Sequence, residues 1–319
     1  MFKLRHFCRA PSVEEEREFE RANIQSKTQR YLETNPFVRF ENDVAYKAKV
    51  ERIAAHLGHL KGFILDIGGS TAGEATILEQ QGYNMVVGDI NEVALDVSRQ
   101  RVEKFGLARP HYVGLDAHNL PFKDNSFSAV TVIEALHHFF NYDQALGEIL
   151  RILKPGGKLF SLEPNALNPL RRASEVRDRF KGTIERSFLV RQLERLCAKA
   201  GFANAGARAY PTGRSSWKLQ EVPAYRRPVT GLHGWLSENY PTVFGGLMLE
   251  AHKAGTLAER DAADVPLSAV LRSPVNHCDI AFDPSRRLWI ESGGKLGFPD
   301  FNGIPVLVAK DAIELSADR

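Results

Sequence analysis

Short apolar runs alternate with helix-forming segments between residues 63 and 162, and this alternation restricts the fold more than any other feature of the chain. The apolar runs predict strands and the segments between them predict helices. The predicted strands are Phe63–Leu65, Met85–Val87, His111–Leu115, Ala129–Ile133 and Lys158–Leu162. The predicted helices are Glu74–Gln81, Glu92–Lys104 and Tyr142–Leu153. Such alternation predicts an α/β protein with a parallel, doubly wound sheet.

An acidic residue stands at or just beyond the carboxyl end of each predicted strand. The five are Asp66, Asp89, Asp116, Glu134 and Glu163. In open α/β sheets that edge forms the ligand crevice. An acidic rim suits a ligand that carries an amine, a sulfonium and ribose hydroxyls better than it suits a pyrophosphate. Taken singly, each acid is also typical of a helix cap or a solvent-facing strand end.

The turn after the first strand is built from small residues. Its sequence, from Phe63, is Phe-Ile-Leu-Asp-Ile-Gly-Gly-Ser-Thr-Ala-Gly73. Small residues let a ligand approach the main chain, and the N–H groups at a helix start offer donors to it. The alternative is a tight strand-to-helix turn with no ligand.

Five motifs in order resemble the class I S-adenosylmethionine-dependent methyltransferases over roughly residues 45–205. They are Leu65-Asp-Ile-Gly68, Asp89, Gly114-Leu-Asp-Ala-His-Asn-Leu-Pro-Phe122, Leu136-His-His138 and Leu153-Lys-Pro-Gly-Gly-Lys-Leu159. The resemblance implies a Rossmann-like sheet of seven strands, mostly parallel, whose last strand, Gly246–His252, runs antiparallel. It also implies S-adenosylmethionine as the cofactor.

The resemblance further implies a role for each crevice residue. Asp66 and the main chain of Gly68, Gly69 and Ser70 would hold the methionine part of the cofactor, and Glu134 would lie beside it. Asp89 would accept from both ribose hydroxyls. The residues that would contact the adenine are Ile90, Asp116 and Ala117.

Two residues depart from the family pattern, which has glycine where this chain has Ser70 and Ala72. A side chain there restricts positive φ and adds bulk near the ligand, so weakened or lost cofactor binding is the alternative. A nicotinamide cofactor would require Gly-x-Gly-x-x-Gly, but the middle position counted from Gly68 is Ser70. Asp89 alone would suit either ribose.

Two histidines follow the fourth strand at the crevice, and a histidine titrates near working pH. Either His137 or His138 is a candidate general base for a hydroxyl acceptor; the alternative is a structural or substrate-orienting role. We therefore predict a small-molecule O-methyltransferase of secondary or glycan metabolism, with sugar, lipid, polyketide and peptide acceptors all open. The rival hypothesis is a catalytically silent protein of this fold that acts as a partner or scaffold.

Further roles are predicted for one segment before the predicted domain, residues 45–255, and for two segments within it. Residues 1–44 predict a helix that runs to about Leu32 and stops near Pro36. This helix and a second one, which ends near Gly58, either present a solvated face or cover the substrate. The basic stretch, Arg171 to Arg186, predicts a solvated helix face or a site that steers an anionic substrate. Residues 211–243 predict a substrate lid, with an oligomer contact or an interfacial membrane helix as the alternatives.

The C-terminal segment resembles the small zinc-ribbon activators of methyltransferases. After a linker, residues 256–270, the tail 271–319 is predicted to form a β-rich appendage. It lacks the paired cysteines of those activators, so no zinc is expected. The residues at those positions are Ser273, Asn276, Glu291 and Gly294. Packing on the main domain or building a homo-oligomer is the expected role.

Composition excludes several classes of partner. The net charge of +3 gives no reason to expect nucleic acid, and no apolar run approaches a membrane span. Three widely separated cysteines argue against a disulfide framework and a cysteine metal site. A reduced, cytoplasmic compartment is the resulting expectation, without stable membrane insertion.

Overall fold

A central sheet organises the computed structural model, which describes residues 13–180, 186–213, 227–257 and 265–315. Its first seven strands are β1 Phe63–Ile67, β2 Asn84–Asp89, β3 His111–Leu115, β4 Phe127–Ile133, β5 Leu153–Glu163, β6 Ala203–Tyr210 and β7 Gly246–His252. They lie in the order β6-β7-β5-β4-β1-β2-β3, and β7 runs antiparallel to both neighbours. The doubly wound α/β sheet predicted from the sequence is therefore confirmed.

Helices cover both faces of this sheet. They are α1 Val13–Gln25, α2 Thr28–Glu33, α3 Pro36–Asn42, α4 Val44–Leu57, α5 Gly73–Gln80, α6 Glu92–Phe105, α7 Tyr142–Ile152, α8 Pro169–Phe180 and α9 Val190–Ala200. Ile64 belongs to the buried cluster that includes α4 and α5, whereas Leu65 belongs to the cluster that includes α7 and α9. Alternate strand residues thus fill the two cores, as the period of two requires.

The N-terminal segment differs from the single helix expected to run to Leu32. The main-chain N–H of Lys27 donates to Ile24 three residues back, so the chain turns there and separates α1 from α2. Pro36, expected to lie near a helix stop, instead begins α3. The side chain of Asn35 caps that helix by accepting from the Phe37 N–H at 2.9 Å.

The Lys154-Pro-Gly-Gly157 segment, expected to end the helix Tyr142–Leu153 before the fifth strand, lies inside β5. The register shifts between Phe127 and Ala129 of β4, so the extra residues are accommodated as an irregularity of the ladder. Gly156 has φ +76°, and a Cβ there would lie 2.4 Å from the main-chain nitrogen of Leu257. Only glycine fits this close approach.

Smaller differences between the predicted and the observed structure concern the residues at which strands and helices begin and end. Asp66 lies within β1 and not beyond it, because all five residues of that strand are buried and pair with β2. The sequence predicts a helix over Phe188–Ala200, but α9 begins two residues later, since Phe188 itself bridges to Asn165.

The C-terminal segment extends the same sheet. Its strands are β8 Ile280–Asp283, β9 Leu288–Glu291, β10 Leu296–Phe301, β11 Ile304–Leu307 and β12 Ile313–Glu314. Strand β11 pairs parallel with β3 and covers the edge that β3 would otherwise expose. Phe298 and Leu307 share one buried cluster with Val113 and Leu115 of β3, so the tail packs on the main domain in cis.

Two further helices, α10 Arg227–Asn239 and α11 Pro241–Phe244, precede β7. Ser237 of α10 is buried, and its hydroxyl accepts from the main-chain N–H of Thr212 at 2.9 Å. Parts of the predicted lid and of the basic stretch, residues 214–226 and 181–185, lie outside the described residues. None of the described helices is long and apolar enough to cross a bilayer.

Candidate functional site

A cavity of about 300 Å³ opens at the carboxyl ends of β1 to β4. Its lining contains eight of the residues singled out from the sequence: Gly68, Ser70, Asp89, Ile90, Asp116, Ala117, Glu134 and His138. The other lining residues are Glu20, Ile67, Asn91, Leu115, His118, Ala135, Phe139 and Phe140. The carboxyl ends of separate strands thus bring these residues into one site.

The small-residue turn forms the floor of this cavity. A Cβ on Gly69 would lie 2.5 Å from Val87 and 2.9 Å from Asp66 Oδ2, so no larger residue fits there. Ser70 and Ala72 hold φ +46° and +51°, in the left-handed region that glycine tolerates best. The chain therefore keeps a glycine-like backbone path with two residues that strain it.

Asp89 organises the main chain beside the cavity. Its Oδ2 accepts from the Ser70 N–H and its Oδ1 accepts from the Asn91 N–H, each at 2.8 Å. Burial raises the pKa of Asp89 to about 6, although these two hydrogen bonds oppose the shift. A carboxylate has about four acceptor sites, so two vicinal hydroxyls still find acceptors on Asp89.

Asp66 lies behind the floor and does not line the cavity. It is 6% exposed and accepts from the Thr131 hydroxyl at 2.7 Å. Burial raises the pKa of Asp66 to about 7. Its carboxylate backs Gly69, so it acts on a ligand through the turn that it supports.

Lys49 of α4 and Glu134 bring opposite charges to the end of β4. Glu134 has φ +55°, and its carboxylate lies 3.9 Å from Lys49 Nζ. Lys49 also pairs with Glu74 at the start of α5. Burial disfavours ionised Glu74, but the ammonium outweighs it and holds the pKa of Glu74 below its usual value. Helix α4 is thereby fastened against the floor of the site.

Asp116 and His118 close the cavity at the end of β3. His118 Nδ1 lies 2.7 Å from Asp116 Oδ1, and His118 Nε2 accepts from the Asn141 N–H at 3.3 Å. Phe140 stacks on the His118 ring with a centroid distance of 3.8 Å. Both ring nitrogens of His118 are therefore engaged in hydrogen bonds, and its side chain has a structural role in this wall.

His137 and Glu163 form a buried pair at the ends of β4 and β5. His137 Nδ1 lies 2.7 Å from Glu163 Oε2, and both residues are under 5% exposed. Glu163 also accepts from Ser161 Oγ at 3.0 Å and from the Leu136 N–H at 2.9 Å. An acceptor-only carboxylate assigns the ring proton to Nδ1, which leaves Nε2 as the basic nitrogen of neutral His137.

The structure separates the two candidate histidines. His138 lines the cavity close enough to Asp89 to favour ionisation of that carboxylate, although burial is the larger influence on it. His137 lies behind, with its ring 4.2 Å from that of His138. His111, a weaker candidate from the sequence, lies at the opposite end of β3, where burial lowers its pKa.

Sequence reasoning missed part of the site. Glu20 of α1 lines the cavity, which agrees with the covering role considered for the N-terminal helices. Arg17, one turn earlier, pairs with Glu92 at 3.0 Å and with Asp311 of the tail at 2.7 Å. The acidic run Glu14-Glu15-Glu16 indicates the N-terminus of a helix, but it does not indicate that this helix lines a cavity. Ion pairs between segments this distant in sequence leave no local pattern.

The four tail positions that the sequence resemblance aligns with the cysteines of zinc-ribbon activators lie close together. Glu291 is buried and accepts from Ser273 Oγ and from Asn276 Nδ2. Gly294 donates its N–H to the Glu291 carbonyl at 2.8 Å. No group of three His, Cys, Asp or Glu side chains suited to a metal occurs among the residues that the structure describes. Hydrogen bonds to one carboxylate hold the two turns together.

Comparison with known proteins locates the match in the same region. Residues 65–161 match a methyltransferase-domain family. The chain is 34% identical over 133 residues to demethylmenaquinone methyltransferase of Clavibacter sepedonicus, covering 42% of this chain and 53% of that protein. It is 39% identical over 106 residues to ubiquinone/menaquinone biosynthesis C-methyltransferase UbiE of Vibrio cholerae, covering 31% and 40%. The matches span about half or less of the length of these curated relatives.

Among solved structures, phosphoethanolamine N-methyltransferase 2 of Haemonchus contortus in complex with S-adenosyl-L-methionine is similar to this chain. The TM-score is 0.55 at 20% identity, covering 76% of this chain and 60% of that one. This likeness supports the doubly wound fold.

Proposed function

We propose, from the premise that this chain carries a class I S-adenosylmethionine-dependent methyltransferase domain, that it transfers a methyl group to a small-molecule acceptor. The family match over residues 65–161 carries this proposal. The cavity supports it, because the matched region supplies most of the lining. Methyl transfer is an in-line displacement, so the protein's main task is to orient the acceptor and exclude water.

The residues around the cavity fit S-adenosylmethionine. Gly68 and Gly69 form a floor where a Cβ would collide with Ala135 and Val87, and the unfilled acceptor sites of Asp89 suit the two ribose hydroxyls. Ile90, Ala117 and Phe139 offer apolar contacts for an adenine ring. When bound, the cofactor supplies an electrophilic methyl group on a sulfonium. The acidic side chain of Glu134 in the cavity lining complements that positive charge, and Asp66 acts through the turn that it supports.

His137, oriented by Glu163, is the group that we assign as general base. A base whose second nitrogen is fixed by a carboxylate keeps one tautomer and one ring orientation. His137 is buried behind His138 and does not line the cavity, so this role requires the acceptor hydroxyl to extend past His138. Its proton would then pass to Nε2, and Glu163 would stabilise the imidazolium. Glu163 is a positioning residue because it acts through His137. His138 belongs instead to the wall beside Asp89.

The acceptor that this pair supports is a hydroxyl, so we propose O-methylation. Removing the hydroxyl proton raises the nucleophilicity of the oxygen. A second candidate is transfer to a ring carbon beside a hydroxyl, and the name of the Vibrio cholerae relative, a ubiquinone/menaquinone biosynthesis C-methyltransferase, favours it. Deprotonation of the hydroxyl assists both reactions, so His137 has the same role in each.

Titration calorimetry with S-adenosylmethionine and S-adenosylhomocysteine tests the first step. Heat and thermal stabilisation by both ligands are expected. Stabilisation by nicotinamide cofactors alone would overturn the assignment. Binding without transfer to any acceptor would favour the catalytically silent alternative. Transfer from radiolabelled cofactor to a panel of phenols, hydroquinones and sugars, with NMR of the product, then distinguishes oxygen from carbon.

Paired variants test the base. His137→Gln should lower kcat about 10²- to 10⁴-fold and remove the limb of the pH–rate profile that a base produces, with cofactor affinity unchanged. Glu163→Gln should shift the pH–rate profile. The matched control is His138→Gln, which should change cofactor affinity more than kcat. Full activity in His137→Gln would assign the proton transfer to another group.

A further inference from the structure

Exposed apolar side chains concentrate beside the crevice. Of the fifteen large apolar residues exposed in the described part of the chain, eight lie between residues 167 and 243. Seven of these lie on α8, α10 and α11 or in the turns before α8 and α11, and the eighth, Leu189, lies just before α9. With two exposed arginines of α8 the seven define the arginine–aromatic face: Leu167, Leu170, Arg172, Val176, Arg177, Leu232, Trp235, Tyr240 and Val243. An apolar group of this extent usually marks an interaction site.

Buried polar contacts join these helices into one surface. Asn168 Nδ2 lies 3.0 Å from His233 Nε2 and donates to the Phe244 carbonyl at 3.0 Å. Asn165 donates to the Thr242 carbonyl at 2.9 Å. The start of α8 is thereby fixed to α10 and α11, so the face is preorganised.

The side chains on this face are those that favour a membrane interface. Trp235 and Tyr240 form an edge-to-face pair, and both are more than 40% exposed. Exposed tryptophan and tyrosine combine an apolar ring with a polar edge, which suits the headgroup region of a bilayer. Leu232 lies one turn before Trp235 on the same side of α10 and adds aliphatic area.

Charge on this side of the molecule complements anionic headgroups. Among the described side chains of α8, Arg171, Arg172 and Arg177 are basic and Glu175 is acidic, a net charge of +2. Glu175 is buried and paired with Arg172, so this acid does not face solvent. Glu238 is the exposed acid of α10 and opposes the pattern. Basic residues beside apolar side chains are typical of surfaces that bind anionic lipid.

The face adjoins the proposed site of methyl transfer. Asn165 follows Glu163 by two residues, and Glu163 is the partner of His137. A bilayer in contact with α8 and α10 would therefore lie at the carboxyl end of β5.

We propose that the arginine–aromatic face docks on the surface of a membrane that contains anionic lipid, so that the crevice opens next to the bilayer. Docking is peripheral, with the aromatic and aliphatic side chains at headgroup depth. The proposal rests on the proposed function only in treating the crevice as the place of methyl transfer.

Vesicle flotation with the full chain tests the docking. We expect binding to vesicles of equal parts phosphatidylcholine and phosphatidylglycerol, weak binding to phosphatidylcholine alone, and loss of binding at high salt. Arg172→Glu with Arg177→Glu should weaken binding at least about tenfold. Leu232→Ser with Trp235→Ser should also weaken binding at low salt, because it removes the apolar contact with the headgroup region. Cofactor affinity, measured by calorimetry on each variant, should stay unchanged.

Matched controls carry the same changes elsewhere. Lys104→Glu with Arg109→Glu alters the end of the sheet opposite the crevice, and Ile313→Ser alters the tail; neither should affect flotation. No flotation of the unaltered protein, or equal loss in the controls, would overturn the proposal. Self-association that the face variants abolish, without vesicle binding, would assign the face to a second copy of the chain. Cofactor binding without vesicle binding would refute the docking and leave the proposed function intact. Vesicle binding without cofactor binding would refute the proposed function and leave the docking intact.

Discussion

The main-chain N–H of Ser70 donates to the side chain of Asp89 across the cavity floor, at 2.8 Å. Asp89 therefore does more than present a carboxylate to a ligand, because it also fixes the turn and the start of α6 through Asn91. From the sequence alone, we expected its removal to leave the fold unaffected. The structure changes that expectation, since two main-chain donors lose their acceptor together.

Asp89→Ala should weaken S-adenosylmethionine binding by about 1.5–3 kcal/mol, the worth of a charge-assisted hydrogen bond, or about 10- to 150-fold. It should also lower the free energy of unfolding by about 1–3 kcal/mol, because the Ser70 and Asn91 N–H groups become unpaired. Asp89→Asn should lose less of both, since its oxygen still accepts. Calorimetry and urea denaturation measure the two effects.

A matched control separates stability from binding in this test. Asp43 is also buried and accepts from two N–H groups, at the start of α4, but does not line the cavity. Asp43→Ala should lower stability with little change in affinity. Equal affinity in Asp89→Ala and the unaltered protein would place the ribose elsewhere.

Cofactor affinity should decrease as the pH falls. Burial raises the pKa of Asp66 to about 7 and of Asp89 to about 6. Both values exceed the pKa of an aspartate in an unfolded chain, about 3.9. The two groups therefore contribute their full stabilisation of the free protein below about pH 3.9 and lose it as the pH rises through 6 and 7. A cationic ligand that donates hydroxyls prefers the ionised carboxylates, so binding releases protons.

Calorimetry between about pH 5 and pH 8 in buffers of different ionisation enthalpy measures this release. The proton released near pH 6 should disappear in Asp89→Asn, whereas the one near pH 7 should remain. Affinity that is independent of pH in the unaltered protein would show that neither carboxylate ionises on binding.

The fold was predictable because period and order are local properties of the sequence. The buried strand β2 and the amphipathic helix α6 follow one another with apolar residues at the expected spacing, and each strand end carries its acid. The split between α1 and α2 was not predictable, because the turn at Lys27 depends on how both helices pack on α6. Tertiary packing decides such ends.

The candidate site was predictable at strand ends and not between distant segments. Asp89 and Glu134 stand at positions that the α/β order brings to one edge. The pairing of His137 with Glu163 joins residues that follow different strands, and Glu20 lies on a helix that Arg17 pairs with both α6 and the tail. The spacing of residues along the chain does not predict these contacts.

Ser70→Gly should stabilise the protein. A non-glycine residue in the left-handed region costs about 1–2 kcal/mol, which Ser70→Gly would relieve. The greater freedom of glycine in the unfolded chain offsets about 0.4–1 kcal/mol of this stabilisation. A net increase of about 0.5–1 kcal/mol in unfolding free energy is expected. Ala75→Gly, at a buried helical position of α5, is the control and should lose about 1 kcal/mol. A loss of stability in Ser70→Gly equal to that control would contradict the strain argument.

The tail should accept zinc once four side chains are replaced. Ser273 and Asn276 stand three residues apart in one turn, Glu291 and Gly294 stand three apart in another, and hydrogen bonds to Glu291 join the two turns. Paired cysteines at this spacing are the usual ligands of a structural tetrahedral zinc site. The unaltered protein should contain no stoichiometric metal, because it presents one carboxylate where a site needs four donors.

The decisive variant combines Ser273→Cys, Asn276→Cys, Glu291→Cys and Gly294→Cys. It should bind one zinc ion per chain, detected by metal analysis, and a chelator should lower its melting temperature, since metal binding at such a site contributes directly to folding. A variant with only the first two changes holds half of the ligands and should bind zinc weakly. The four-cysteine protein could fold with β11 still paired to β3 and yet bind no metal. That result would show that the two turns converge without the geometry of a ribbon, and the resemblance of the tail to zinc-ribbon activators would then be limited to its sequence.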